Sequence, residues 1–269
     1  MIPSFVLSLR EGLEAALIIG IVLGALRRTG RTDLNRSLWI GVISAIVLSL
    51  LTALLLRGIG EELEGRSEQI FEGLTLLLAA GVLTWMILWM SSQSRSMEAK
   101  LESNVDRAVN LKGQGAIFFL ALIVVLREGI ELALYLTATS LTSSGIQTLL
   151  GTSFGLLVAS LLGYLIFTAT LHLNLQRFFQ ITAFILILFA GGLITHSVAK
   201  FNEAGIIPTI INPIWNLNPF LNDRSIVGMI FSTLFGYYGS PSLTQVLGYS
   251  LYISIIVLVL FKTRNLQVI

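Results

Sequence analysis

Two short stretches carry the residue types that could do chemistry. Arg10, Glu11 and Glu14 stand in LREGLEAALIIG, residues 9–20, and Arg127, Glu128 and Glu131 stand in LREGIELALYLT, residues 126–137. Both copies share the same spacing of arginine, glycine and two glutamates, 117 positions apart from residue 10 to residue 127. On a helix turning about 100° per residue, each triad falls within an arc of about 100° and forms a charged stripe on one face. Gly12 and Gly129 leave room beside each stripe for another helix backbone. Local pairing is available, because Arg10 with Glu14 and Arg127 with Glu131 are i, i+4 neighbours. Four carboxylates against two guanidiniums still leave a formal charge of −2 when all are ionised. Such a surplus wants a cation, and hard carboxylate oxygens suit Fe(III), Fe(II), Mn(II), Mg(II) or Ca(II).

The elements around the stripes make that surplus expensive. Of the 269 residues, 55% are hydrophobic and only 12% are charged, and the mean hydropathy is +0.85. Those values belong to a polytopic membrane protein rather than a soluble domain. Each charge inside a membrane helix costs about 2.5–3.5 kcal/mol on insertion scales, so six of them must be paired or must line water. Two structural ion-pair clamps are the competing reading. An acid excess repeated in two spans is hard to justify as packing, since buried ion pairs contribute little net stability. Cysteine is absent, which excludes disulfides, thiolate metal sites and thiol catalysis.

A bilayer core needs about 20 apolar residues per helix, and that template fits seven spans, at 3–26, 37–56, 69–90, 115–138, 147–170, 178–198 and 245–261. The expected fold class is therefore all-α, with seven transmembrane helices. Eleven of the 17 Lys and Arg residues fall on one side of these spans, four on the other, and the remaining two are Arg10 and Arg127. The bias puts the N-terminus outside and the C-terminus in the cytoplasm. Spans 1 and 4 then run in opposite directions while carrying one motif, which is the pattern of an inverted repeat with its site near the midplane. The expected organisation is a first three-helix repeat at 1–90, a cytoplasmic and helical linker at 91–114, and a second, inverted repeat at 115–198. An extracytoplasmic or interfacial segment follows at 199–244, with four of the five prolines, and then the seventh span and cytoplasmic tail at 245–269.

At this point the sequence resembles the oxidase-dependent iron transporter family, the high-affinity iron permeases and their bacterial branch. The likeness is carried by REGLE at 10–14 and REGIE at 127–131, and extends to EQIFEG at 68–73 and to the stretch from PIWNLN through GYYGSPSLTQVLGY before the last span. It implies an iron permease of the plasma (inner) membrane, not an enzyme, that moves Fe2+ or Fe3+ as substrate and keeps no permanently bound cofactor. Glu11, Glu14, Glu128 and Glu131 would be iron ligands, with Arg10 and Arg127 tuning them. Glu72 resembles a further acidic metal ligand of the family, and Glu68, nearer the outer mouth, a residue of the entry path. Some members carry a large extracytoplasmic domain, and this chain starts at its first span. A separate periplasmic or extracellular iron-delivery or oxidase protein is thus an expected partner class, alongside the lipid bilayer and further copies of the chain, whereas nucleic acid is not.

The remaining signals are weaker. His172 reads as a surface residue of a short cytoplasmic connection. His196, seven positions before Glu203, is a candidate with Glu203 for an entry or exit path. Trp85, Met86, Trp89 and Met90 read as packing and interface anchoring. Gly20 with Gly24 and Gly151 with Gly155 fit close helix contacts, within or between subunits. Two other functions fit the same residues: transport of another divalent metal such as Mn2+ or Pb2+, and a membrane-embedded di-metal enzyme. The enzyme would normally add Glu-x-x-His pairs, and neither motif span contains histidine.

Overall fold

The computed structural model describes residues 1–93, 113–142, 144–168, 175–223 and 225–266. Most of linker 91–114, expected to be helical, and His172 lie outside the described residues. Those that are described form an all-helical chain. Its elements are α1 (Ile2–Arg28), a short 3-10 turn (Thr32–Leu34), α2 (Asn35–Glu62), α3 (Arg66–Gln93), α4 (Gly113–Thr142), α5 (Gly145–Phe167), α6 (Leu175–Glu203), α7 (Ile226–Phe235) and α8 (Leu243–Leu266). Seven of these helices are 23 to 30 residues long, or about 35–45 Å at 1.5 Å per residue, enough to cross a bilayer.

Thr32–Gly60, Arg66–Trp89, Gly145–Phe167, Arg177–Glu203 and Leu243–Leu260 are both long and apolar enough to be membrane spans. The two motif helices, α1 and α4, add the charged stripes. The protein is therefore a polytopic, integral membrane protein. Leu50, Leu54, Leu55, Leu157 and Leu258 point outward on α2, α5 and α8, a surface that only lipid or another apolar partner can cover.

Local chemistry sets several helix ends. Pro3 sits in the first turn of α1, where its missing N–H is one that the helix would leave unpaired anyway. Ser144 caps α5 by accepting from the Gln147 backbone N–H, and Ser225 caps α7 by accepting from that of Gly228 at 2.9 Å. Gly236 ends α7 at φ 65°, in the left-handed region that a residue without Cβ enters cheaply. The loop around α7 is held by Asp223, whose Oδ1 accepts from Gly239 N–H at 2.6 Å, and by Tyr237, whose hydroxyl donates to the Leu221 carbonyl at 2.8 Å.

Helix packing crosses the sequence order. α1 packs most extensively along α5, α2 along α4, and α3 along α6, while the motif helices α1 and α4 also meet each other. Exchanging α1 with α4, α2 with α5 and α3 with α6 maps this set of contacts onto itself. Two buried clusters flank the crossing. In one, Leu7 of α1 packs with Tyr135 and Ala138 of α4 and with Leu83 and Phe189 of α3 and α6. In the other, Val22, Ala25 and Leu26 of α1 pack with Ile117, Ala121 and Val125 of α4 and with Leu38 of α2. The start of α1 thus lies against the end of α4 and the reverse, so the two helices cross antiparallel with their motifs at the middle.

Candidate cation site

The motif glycines let the helices close around this crossing. A Cβ on Gly12 would lie 2.8 Å from Ala159 Cβ of α5, and one on Gly129 would lie 2.7 Å from Ser49 Cβ of α2. Each motif helix therefore meets its partner helix at the residue flanked by the two charged groups. Gly151 and Gly155 of α5 do the same against Met1, Ser4, Phe5 and Ser8 of α1, so that expected small-residue contact lies within one chain. Gly24 meets nothing within 4 Å.

Glu11, Glu128 and Glu131 converge. One carboxylate oxygen from each lies within 4.8 Å of the others, and all three residues are buried. Glu14, 9% exposed, is held beside them: Arg10 Nη2 is 3.3 Å from its Oε1, and Arg10 Nη1 is 3.5 Å from Glu11 Oε1. Arg10 is wholly enclosed, whereas the Arg127 side chain is 37% exposed. Arg127 Nε donates to Glu131 Oε1 at 3.0 Å, and its guanidinium lies over the Trp89 ring at 4.9 Å. The two arginines therefore serve their glutamates unequally.

Five carboxylate oxygens here, Glu11 Oε1 and Oε2, Glu14 Oε1, Glu128 Oε2 and Glu131 Oε2, are buried and accept no hydrogen bond. A buried polar atom without such a partner costs about 1–3 kcal/mol, more when charged. Four of the five belong to Glu11, Glu128 and Glu131, whose carboxylate oxygens converge, and hard oxygens of this kind can serve a hard cation.

The other sequence candidates lie elsewhere. Glu72 Oε2 is 2.8 Å from Lys200 Nζ, and Lys200 is also 3.4 Å from Glu203 Oε2. This α3–α6 ion pair is separate from the three-carboxylate group. Glu68 is exposed on the first turn of α3. Glu203 lines a cavity of about 260 Å³ with Asn202, Thr209, Tyr238 and Gln245. His196 has both ring nitrogens engaged, Nδ1 with the Tyr238 hydroxyl at 2.7 Å and Nε2 with the Ser232 carbonyl at 3.3 Å. A carbonyl only accepts, so Nε2 carries the proton and Nδ1 accepts from Tyr238. Burial pushes the Tyr238 phenol pKa up, which keeps it a donor. This geometry makes His196 a strap between α6 and the loop around α7.

Sequence reasoning missed Lys200 and the place of Trp89. In the sequence Lys200 is one basic residue among many, and Trp89 reads as packing and interface anchoring. The i, i+3 spacing of Lys200 and Glu203 was the available signal for the first. Nothing local pointed to Trp89 over Arg127.

The comparisons with known proteins agree with one another. The model of the iron permease FTR1 family matches residues 1–268. The ferrous iron permease EfeU of Yersinia pestis is 33% identical over 255 residues, covering 94% of this chain and 90% of the relative. That of Yersinia pseudotuberculosis (serotype I) is 33% identical over 251 residues, 93% and 88% of the two chains, and that of Escherichia coli strain UTI89 is 33% identical over 255, 94% and 92%. No solved structure matches.

Proposed function

Given that the chain belongs to the iron permease FTR1 family, we propose that iron crosses the membrane through the site between α1 and α4, bound by Glu11, Glu14, Glu128 and Glu131. Iron transport itself follows from the family, and the chain is a permease rather than an enzyme. The relatives are named for ferrous iron, and the −2 charge of the two motifs balances Fe2+ without further groups. Arg10 and Arg127 hold the carboxylates in place and prevent the acids from repelling each other apart. The observation that carries this reading is the convergence of Glu11, Glu128 and Glu131 within 4.8 Å, with both Glu11 oxygens, Glu128 Oε2 and Glu131 Oε2 buried and accepting no hydrogen bond.

In this reading the inverted halves, 1–90 and 115–198, give alternating access, with the N-terminus outside and the site near the midplane. Because α1 packs along α5 and α4 along α2, the bodies that move are these crossed pairs, each taking one helix from either half. Their relative tilt opens the carboxylates first to one side and then to the other. Glu68, Glu203 with its cavity, and Glu72 with Lys200 would guide the approaching ion. A delivery or oxidase protein on the outer side, and assembly of several copies, fit the same scheme.

The test is uptake of radioactive iron into vesicles containing the purified chain. Glu14→Gln and Glu131→Gln should each lower uptake about tenfold or more, the loss expected for one bound oxygen worth 1.4 kcal/mol. Uptake at the wild-type rate in both variants would refute the site. Acidification should weaken iron retention in wild type, since every carboxylate must shed its proton to hold the metal. Competition by Mn2+ and Pb2+ in the same vesicles, under reducing and oxidising conditions, assigns the ion.

A further inference from the structure

One more buried oxygen belongs to a residue one helical turn beyond Glu131 on α4. Tyr135 is wholly enclosed, and its hydroxyl has no hydrogen-bond partner. An orphan phenol in a membrane helix is a cost without a structural return, because phenylalanine would fill the same volume. The hydroxyl is also the one part of the residue that the surrounding cluster of Leu7, Leu83, Leu186 and Phe189 cannot use.

Its place on α4 supplies the return. Tyr135 lies four residues after Glu131 and seven after Glu128, so at about 100° per residue it is about 40° and 20° from them around the helix, on the same face. Side chains on a helix lean toward its N-terminus. The Tyr135 ring therefore reaches back over the turn that carries Glu131 and Glu128. Across the helix crossing Tyr135 shares a buried cluster with Leu7, which stands one helical turn before Glu11 on α1. The matching position on α1, 117 residues earlier, is Ile18, which packs instead against the opposite apolar cluster.

Building on the reading of this site as the iron site, we infer that Tyr135 is a further cation-binding residue: its neutral phenol oxygen joins the carboxylates as a ligand for a hard cation. Only α4 supplies it. The two ends of the site consequently differ, with a phenol oxygen beyond Glu131 and an aliphatic side chain beyond Glu14. An added hard oxygen also favours iron over softer divalent ions.

Terbium(III) reports the geometry directly, because it binds carboxylate oxygens and its emission is sensitised by a tyrosine only at very short range. The full chain is reconstituted in lipid nanodiscs, loaded with terbium and excited through tyrosine, with the tryptophan share measured at the red edge and subtracted. Tyr135→Phe is expected to abolish most of the tyrosine-sensitised emission while directly excited terbium remains bound. It should also weaken ferrous iron binding about tenfold, the equivalent of one contact, and narrow the preference for iron over Pb2+. Glu11→Gln and Glu128→Gln should lose the bound terbium itself. Wild-type sensitised emission and iron affinity in Tyr135→Phe would overturn the inference while leaving the carboxylate site standing. Terbium binding unchanged in the glutamate variants would instead overturn the site on which it rests. Tyr135→Phe removes only an unpartnered hydroxyl, so it keeps the fold, and thermal unfolding of the variant confirms this independently.

Discussion

The Arg127 guanidinium lies 4.9 Å from the centre of the Trp89 ring, so α3 supplies an aromatic floor to the second motif. The first motif needs none, since Arg10 is enclosed. A guanidinium over tryptophan contributes about 0.5–2 kcal/mol, and the larger value applies as water is excluded. Trp89→Leu should therefore raise the iron concentration for half-maximal uptake several-fold, with Trp89→Phe intermediate. Vesicle uptake measured over a range of iron concentrations checks this, and equal half-saturation in wild type and Trp89→Leu would show the stacking to be irrelevant to iron.

The two motif arginines should respond unequally to loss of charge. Arg10→Gln removes the guanidinium that pairs with both Glu11 and Glu14, a change expected to cost about 3–5 kcal/mol in so buried a place. The matching Arg127→Gln removes a side chain that is 37% exposed and also rests on the Trp89 ring, so less uncompensated burial is left behind and the loss should be smaller. Thermal unfolding of the two variants in the same detergent should place Arg10→Gln well below Arg127→Gln. Equal melting points would contradict the burial difference.

Gly12 and Gly24 separate close packing from mere helical glycine. A methyl group on Gly12 collides with Ala159 of α5, while one on Gly24 enters open space. Gly12→Ala should force α1 and α5 apart, costing about 1–3 kcal/mol as overpacking does, and should depress uptake because Glu11 moves with its helix. Gly24→Ala should be neutral or slightly stabilising, as alanine is the better helix former. Melting temperature and uptake rate of the two variants decide the matter.

The sequence displayed the parts of the site that follow from spacing along one helix. Arg10, Glu11 and Glu14 share a face because of the helical period, and Gly12 was legible as a close-approach position for the same reason. The antiparallel meeting of the stripes followed from counting basic residues by loop. What spacing could not reveal was which helix fills each groove. Gly12 meets α5 and Gly129 meets α2, choices made by long-range packing among similarly apolar faces. Glu72 illustrates the same limit: the resemblance offers it as a metal ligand, and only the fold shows that Lys200, far along the chain, lies beside it. Tyr135 was visible at i+4 from Glu131, yet a tyrosine in an apolar helix looks like any other core residue until its hydroxyl is found without a partner.

The crossed packing bears on how the protein is made. When α1, α2 and α3 have left the ribosome, the surfaces that α5, α4 and α6 will occupy are still bare: the groove at Gly12 has nothing to hold and Ser49 has no groove to enter. The early spans must wait in the bilayer, or in the care of the insertion machinery, until the later ones arrive and thread between them. A chain cut between the halves would yield two pieces that each lack the other's backbone as a mould, so assembly comes late and all at once.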